Sequence, residues 1–115
     1  GLLDFTHPEA YAYWRDRHRE LFELGVDMIK ADFGEQIEPH MVASDGTQGD
    51  ALHNIYALLY NRCVYEAAER YSRDGPFLFS RAGWSGSQRY PSQWGGDPQA
   101  DWGGLAGNLR SGLSW

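Results

Sequence analysis

Three residues within one short stretch, IKADFGEQIEP at positions 29–39, carry the chemistry that first stands out. Lys30 lies within the last residues of a short apolar run, and Asp32 and Glu35 sit just past it, where a buried strand would end. A third acid, Asp97, follows RYPSQW (89–94), and Arg81 follows FLFS (77–80). An acid pair with cations beside it suits acid–base or nucleophilic work. Asp32 and Asp97 could act as nucleophile and general acid/base, which stand about 5–5.5 Å apart in retaining glycosidases. Phe33 and Trp94 would give the pair apolar walls that stack on sugar faces. Lys30 and Arg81 would attract one carboxylate, while Asp97 would have to carry the proton it donates. Gly95 and Gly96 would let the backbone approach a substrate closely. Against this stands the plainer reading that an Asp after a strand is a helix cap or an ion-pair partner.

Other chemistries fit less well. Asp32, Glu35, His40 and Asp45 supply hard ligands but match neither an EF-hand loop nor a zinc spacing, so no metal is expected. The stretch GWSGSQ does not satisfy G-x-S-x-G, so Ser85 is not expected to be a nucleophile. His7, His18 and His53 fall at a helix start or inside helices and read as structural. Cys63, the single cysteine, excludes an internal disulfide and reads as a small buried hydrophobe.

The elements that must position these groups follow from apolar periodicity. Thr6 caps a first helix, with Pro8 and Glu9 in its first turn, and Ala10, Trp14, His18, Leu21 and Phe22 form its apolar face up to Gly25. VDMIKA (26–31) reads as a strand and 34–50 as a long polar loop. Asp50 caps a second helix with Ile55, Leu58, Leu59, Cys63, Ala67 and Tyr71 on its apolar side. FLFS (77–80) is a second strand and RYPSQW a third, interrupted by Pro91. The tail has helical spacing in Leu105, Leu109 and Leu113 but poor propensity from its glycines. Helices between strands imply βαβ units and a parallel sheet, and in such sheets chemistry gathers at the C-terminal strand ends. Asp32, Arg81 and Asp97 all fall there.

The bulk composition is that of a folded chain of 115 residues, at most one domain: 42% hydrophobic and 23% charged. A formal net charge of −6 argues against a nucleic-acid partner. No apolar stretch is long enough to cross a bilayer, and no signal peptide is visible. Aromatic residues make up 15%, five Trp among them, which favours a surface that grips flat or ring-shaped ligands.

Taken together, GVDMIKADFGEQIEP resembles the nucleophile segment of glycoside hydrolase family 31, the α-glucosidase and α-xylosidase family. FLFSRAGWSGSQRYPSQWGGD resembles that family's acid/base segment, and the helix HNIYALLYNRCVYEAAER and the opening LLDFTHPEAYAYW are similar to its other parts. The resemblance implies an α/β fold, a partial (β/α)8 (TIM) barrel of about strands 4–6 with flanking helices, spanning residues 1–115. It implies a nucleophile segment at 26–39 and an acid/base segment at 77–98. Asp32 would be the nucleophile and Asp97 the acid/base. Lys30, Phe33, Arg81 and Trp94 would hold the terminal sugar. The reaction would be hydrolysis of a terminal α-linked sugar with retention, with no cofactor. The K-A-D-F-G-E form resembles the bacterial α-xylosidase branch, where many α-glucosidases carry W-x-D-M-N-E. W-G-G-D-P departs from the W-G-G-D-C and W-x-G-D-N endings of the family.

A complete barrel needs at least about 200 residues. The chain is therefore expected to be a middle slice with open strand edges, poor activity alone and a tendency to self-associate. Two other readings remain open at this point: a self-associating partial barrel with a structural role only, and a non-catalytic sugar-binding module built on Trp84, Trp94 and Trp102.

Overall fold

A computed structural model describes residues 1–114. Helix α1 (Pro8–Arg17) is followed by the short helix α2 (Arg19–Glu23), strand β1 (Ile29–Ala31), the long helix α3 (Gly49–Tyr71), strand β2 (Leu78–Ser80) and helix α4 (Trp102–Ser114). β1 and β2 pair in parallel, with Ile29 opposite Leu78, Lys30 opposite Phe79 and Ala31 opposite Ser80. α3 lies between them in sequence, so the centre of the chain is the expected βαβ unit.

Both strands are shorter than the apolar runs that announce them. Val26 and Met28 are exposed and Phe77 is exposed too, so pairing is confined to three residues on each strand, of which Ala31, Leu78 and Ser80 are buried. RYPSQW is corrected more substantially. Residues 87–89 form a 3-10 turn, and only Gln93 bridges to Ser80. Even so, Leu78 N donates to Pro91 O (3.0 Å), Ser80 N to Ser92 O (2.9 Å) and Trp94 N to Ser80 O (2.8 Å). The segment thus runs beside β2 as an irregular third strand. Pro91, with no N–H and a fixed φ, explains why the ladder is not regular.

The helix ends also differ from expectation. Thr6 is not the cap of α1; His7 is, without a side-chain bond, because the Thr6 hydroxyl bonds Asp4 instead. Gln48, not Asp50, caps α3, and Asp50 lies in its first turn. His18 interrupts the first helix, dividing it into α1 and α2. Its buried ring bonds the Trp14 carbonyl through Nδ1 at 2.7 Å. Gly25, at φ +96°, stops α2 as its left-handed conformation requires.

α3 is the beam of the structure because it is covered on two sides. One apolar cluster joins Phe5, Ile37, Ala43, Leu52, Tyr56 and Cys63; the other joins Ala31, Val64 and Leu78, with Tyr60 packed against both. Its buried arc is therefore wider than one amphipathic stripe and is centred on Tyr56, Ala57, Val64 and Ala68 as well as Cys63 and Ala67. Ile55, Leu58, Leu59 and Tyr71, expected on that face, lie at its half-buried margins. The segment 34–48 is folded down rather than loose. Ile37 and Ala43 enter the first cluster, and Ser44 N donates to Asp4 Oδ2 at 2.7 Å. By contrast α4 buries none of its residues, and Leu105, Leu109 and Leu113 are exposed.

Candidate active site

The site forms where β1 ends. Ala31 is fully buried and fixes the strand, so Lys30 before it points away from the core and the chain turns immediately after it. Phe33 has φ +60° and Gly34 φ +105°, two left-handed residues in succession. A non-glycine residue there is strained, and such strain concentrates at functional sites. Gly34 is buried, and a Cβ on it would stand 3.3 Å from Tyr60 Cδ1. This turn leaves Phe33 half exposed and brings Glu35 back toward the end of β2.

Arg81 arrives there because the parallel ladder continues one step: its N–H donates to Ala31 O at 3.1 Å. Three further bonds hold this strand end. The Asn61 amide, buried on α3, donates to Ala82 O at 2.8 Å, Gln93 Nε2 donates to Arg81 O at 2.6 Å, and the Ser80 hydroxyl donates to Gln93 Oε1 at 3.0 Å. The guanidinium then spans two acids. Nη1 lies 3.8 Å from Asp32 Oδ1, and Nη2 lies 2.6 Å from Glu35 Oε1. Lys30 Nζ flanks Asp32 Oδ1 from its own side, also at 3.8 Å. Both cations lie over aromatic rings, Arg81 at 4.4 Å from the Phe33 centroid and Lys30 at 4.0 Å from that of Trp94. Asp32, Phe33 and Gly34 also line an open cavity of about 360 Å³ together with Leu3, Trp14 and Tyr60, a size in the range of small-molecule sites.

Of the residues singled out in the sequence, Lys30, Asp32, Phe33, Glu35, Arg81 and Trp94 thus form one constellation. Asp97 stands outside it: it is exposed and makes no hydrogen bond or ion pair among the described residues. Gly95, expected to make room for a ligand, makes room for α4, since a Cβ there would meet Asn108 Oδ1 at 2.6 Å. Among the described residues no three His, Cys, Asp or Glu side chains gather as a metal cage. Asp32 and Glu35 are taken up by cations, while Asp45 accepts from Thr47 N within its own turn. Trp84 and Trp102 are exposed, and no aromatic contact among the described residues joins them to Trp94.

Sequence reasoning missed the residues that hold the site from behind. Asn61 had a signal, a lone amide among the apolar positions of α3. Gln93 and Ser80 had none, because their roles depend on which backbone carbonyl comes within reach.

All 115 residues match the Glycosyl hydrolases family 31 TIM-barrel domain. The chain belongs to glycoside hydrolase family 31. Within the family it is 39% identical to an α-xylosidase of Emericella nidulans over 116 residues, which covers 99% of this chain and 15% of the relative. It superposes with a TM-score of 0.87, at 31% identity, on the cycloalternan-forming enzyme of Listeria monocytogenes solved with a pentasaccharide substrate, covering 98% of this chain and 11% of that one. A cycloalternan-degrading enzyme from Trueperella pyogenes, solved with a covalent intermediate, gives a TM-score of 0.81 at 30% identity, with 95% and 15% coverage. The family 31 chain described here thus spans about one-seventh of the α-xylosidase's length. The α-xylosidase is by name a glycoside hydrolase, and the mixed helix–sheet fold with parallel strands is that of the family's barrel domain.

Proposed function

We propose that this segment supplies the central catalytic part of a retaining α-glycosidase, with strands four to six of the barrel drawn from β1, β2 and the irregular segment 91–94. The observation that carries the reading is the strand-end constellation: an acid flanked at 3.8 Å by two cations that each cover an aromatic ring, beside an open cavity. In this reading Asp32 (in the segment 26–39) attacks the anomeric carbon while Asp97 (in the segment 77–98) protonates the departing oxygen. The C1–O bond of the substrate breaks as the C1–O bond to Asp32 forms. Water then attacks C1, gives its proton to Asp97 and releases Asp32, so that configuration is retained. Lys30, Phe33, Arg81 and Trp94 grip the terminal sugar, Phe33 and Trp94 by their faces and the two cations through its hydroxyls. The covalent intermediate of the Trueperella relative supports the two-step route. The pentasaccharide of the Listeria relative supports an α-linked saccharide as substrate class. The α-xylosidase relative and the K-A-D-F-G-E form favour α-xylosides, and an α-glucosidase relative from Bacillus thermoamyloliquefaciens supports α-glucosides.

Asp97 reaches its working position only when the segment after Trp94 is held against the rest of a barrel, so the isolated chain hydrolyses slowly. Its open edges lead it to self-associate. A probe with a leaving group that needs no proton separates the two carboxylates. A 5-fluoro-α-glucosyl fluoride is expected to add one glycosyl group to the chain, mapped by mass spectrometry to Asp32, with loss of fluoride. The adduct is expected to vanish in Asp32→Ala and persist in Asp97→Ala, whereas Asp97→Ala abolishes residual cleavage of an alkyl α-xyloside. An adduct elsewhere, or none in the unaltered chain, would overturn the assignment.

A further inference from the structure

Glu35 is the one member of the constellation to which the proposed reaction gives no task. Its placement is nevertheless constrained. Two successive left-handed residues, Phe33 and Gly34, turn the chain so that Glu35 Oε1 meets Arg81 Nη2 at 2.6 Å, the shortest ion-pair contact in the site. Its other oxygen, Oε2, is buried and has no hydrogen-bond partner. A buried carboxylate oxygen without a donor is costly to keep. The group is retained there with Arg81 as its sole charge partner among the described residues.

Arg81 is in turn the residue whose position matters most. The same guanidinium faces Asp32 at 3.8 Å and covers the Phe33 ring at 4.4 Å. Its backbone is tied by Ala31, Asn61 (through Ala82) and Gln93, but nothing in those bonds fixes the side chain. A long flexible side chain needs a second anchor to stay in one rotamer, and a charge-assisted bond supplies it. We propose that Glu35 is a positioning residue, whose carboxylate holds the Arg81 guanidinium in the place from which it faces Asp32 and the sugar. This deepens the reading of Asp32 as nucleophile and rests on it for the kinetic arm of the test.

The inference requires that Glu35 act through Arg81, which a double-mutant cycle decides. Rates of Asp32 labelling by 5-fluoro-α-glucosyl fluoride are compared in the unaltered chain, Glu35→Gln, Arg81→Met and the double variant. Misplacing Arg81 by about 1 Å is expected to slow labelling roughly 10²-fold in Glu35→Gln. The double variant is then expected to be no slower than Arg81→Met alone. Glu35→Asp, which keeps the charge, is expected to recover part of the rate. A merely structural Glu35 would instead slow labelling by the same factor with or without Arg81, and that additivity would overturn the proposal. Side-chain 15N NMR provides an arm independent of the reaction. The Arg81 guanidinium protons are expected to be slowed in their exchange with water in the unaltered chain and to lose that protection in Glu35→Gln. Unchanged protection would overturn the positioning role. Failure of the unaltered chain to label, with Arg81 protection lost in Glu35→Gln, would overturn the nucleophile assignment and leave the positioning role standing.

Discussion

At the scale of single residues, environment rather than identity decides behaviour. Burial pushes the Cys63 thiol up to about 12, with the Glu66 charge adding to it, so almost none is thiolate near neutral pH. A disulfide reagent is expected to react with Cys63 only as the chain unfolds; rapid reaction in native buffer would contradict its placement in the core. Asp4 shows the opposite balance. Partial burial works to raise its carboxyl, but bonds from Thr6 and Ser44 outweigh this and bring it from 3.8 down to about 2. Because the folded value is the lower one, the stabilisation is fully present above pH 3.8 and is lost as pH falls toward 2. Melting temperatures followed from pH 5 to 2 are expected to fall less in Asp4→Asn than in the unaltered chain. Parallel curves would show that Asp4 contributes nothing to acid unfolding. Gly34 is constrained twice, by φ +105° and by the Tyr60 ring. Gly34→Ala is expected to cost about 1–3 kcal/mol in urea unfolding, since no L side chain occupies that conformation without strain.

At the scale of elements, α3 does more than fill the core. Through Asn61, 1% exposed, it reaches across to the carbonyl of Ala82 and sets the height of the loop that carries Arg81. Asn61→Ala leaves that carbonyl without its side-chain donor. The expected loss is about 1–3 kcal/mol of stability by urea unfolding, accompanied by slower Asp32 labelling. Asn61→Ala that kept both stability and labelling rate would show that the loop is held by β2 and Gln93 alone. The segment 91–94 illustrates the reverse dependence. It pairs with β2 through its backbone although Pro91 spoils it as a strand, and so delivers Trp94 to Lys30.

At the scale of the molecule, the two-stranded sheet has an outer edge on β1 that no named strand covers among the described residues. Leu24, Leu109 and Leu113 are 83%, 60% and 88% exposed, and Trp102 is 86% exposed. Apolar exposure on this scale and an open strand edge both favour association. Light scattering coupled to size exclusion is expected to give a mass above that of the 13.0 kDa monomer. A single peak at the monomer mass would overturn this.

The sequence by itself determined the βαβ order, the family, and the six groups that meet at the strand end: Lys30, Asp32, Phe33, Glu35, Arg81 and Trp94. These were legible because period-3.6 and strand-like apolar runs locate strand ends, and residues at or just beyond the ends of paired parallel strands converge, whereas Asp97, beyond the irregular segment 91–94, does not join them. What remained hidden depended on contacts between distant segments. The wide buried arc of α3 reflects packing on two sides, which one helix's periodicity does not record. Thr6 and Asp50 carry capping side chains, yet Thr6 bonds Asp4 and Ser44 while Gln48 takes the cap position of α3. The pairing of Glu35 with Arg81, and the hold of Asn61 and Gln93 on the loop behind it, required the left-handed turn at Phe33–Gly34 and the register of β1 on β2. Local propensity sets which elements form, whereas side-chain bonds across the chain depend on ångström-scale placement that only the packed structure decides.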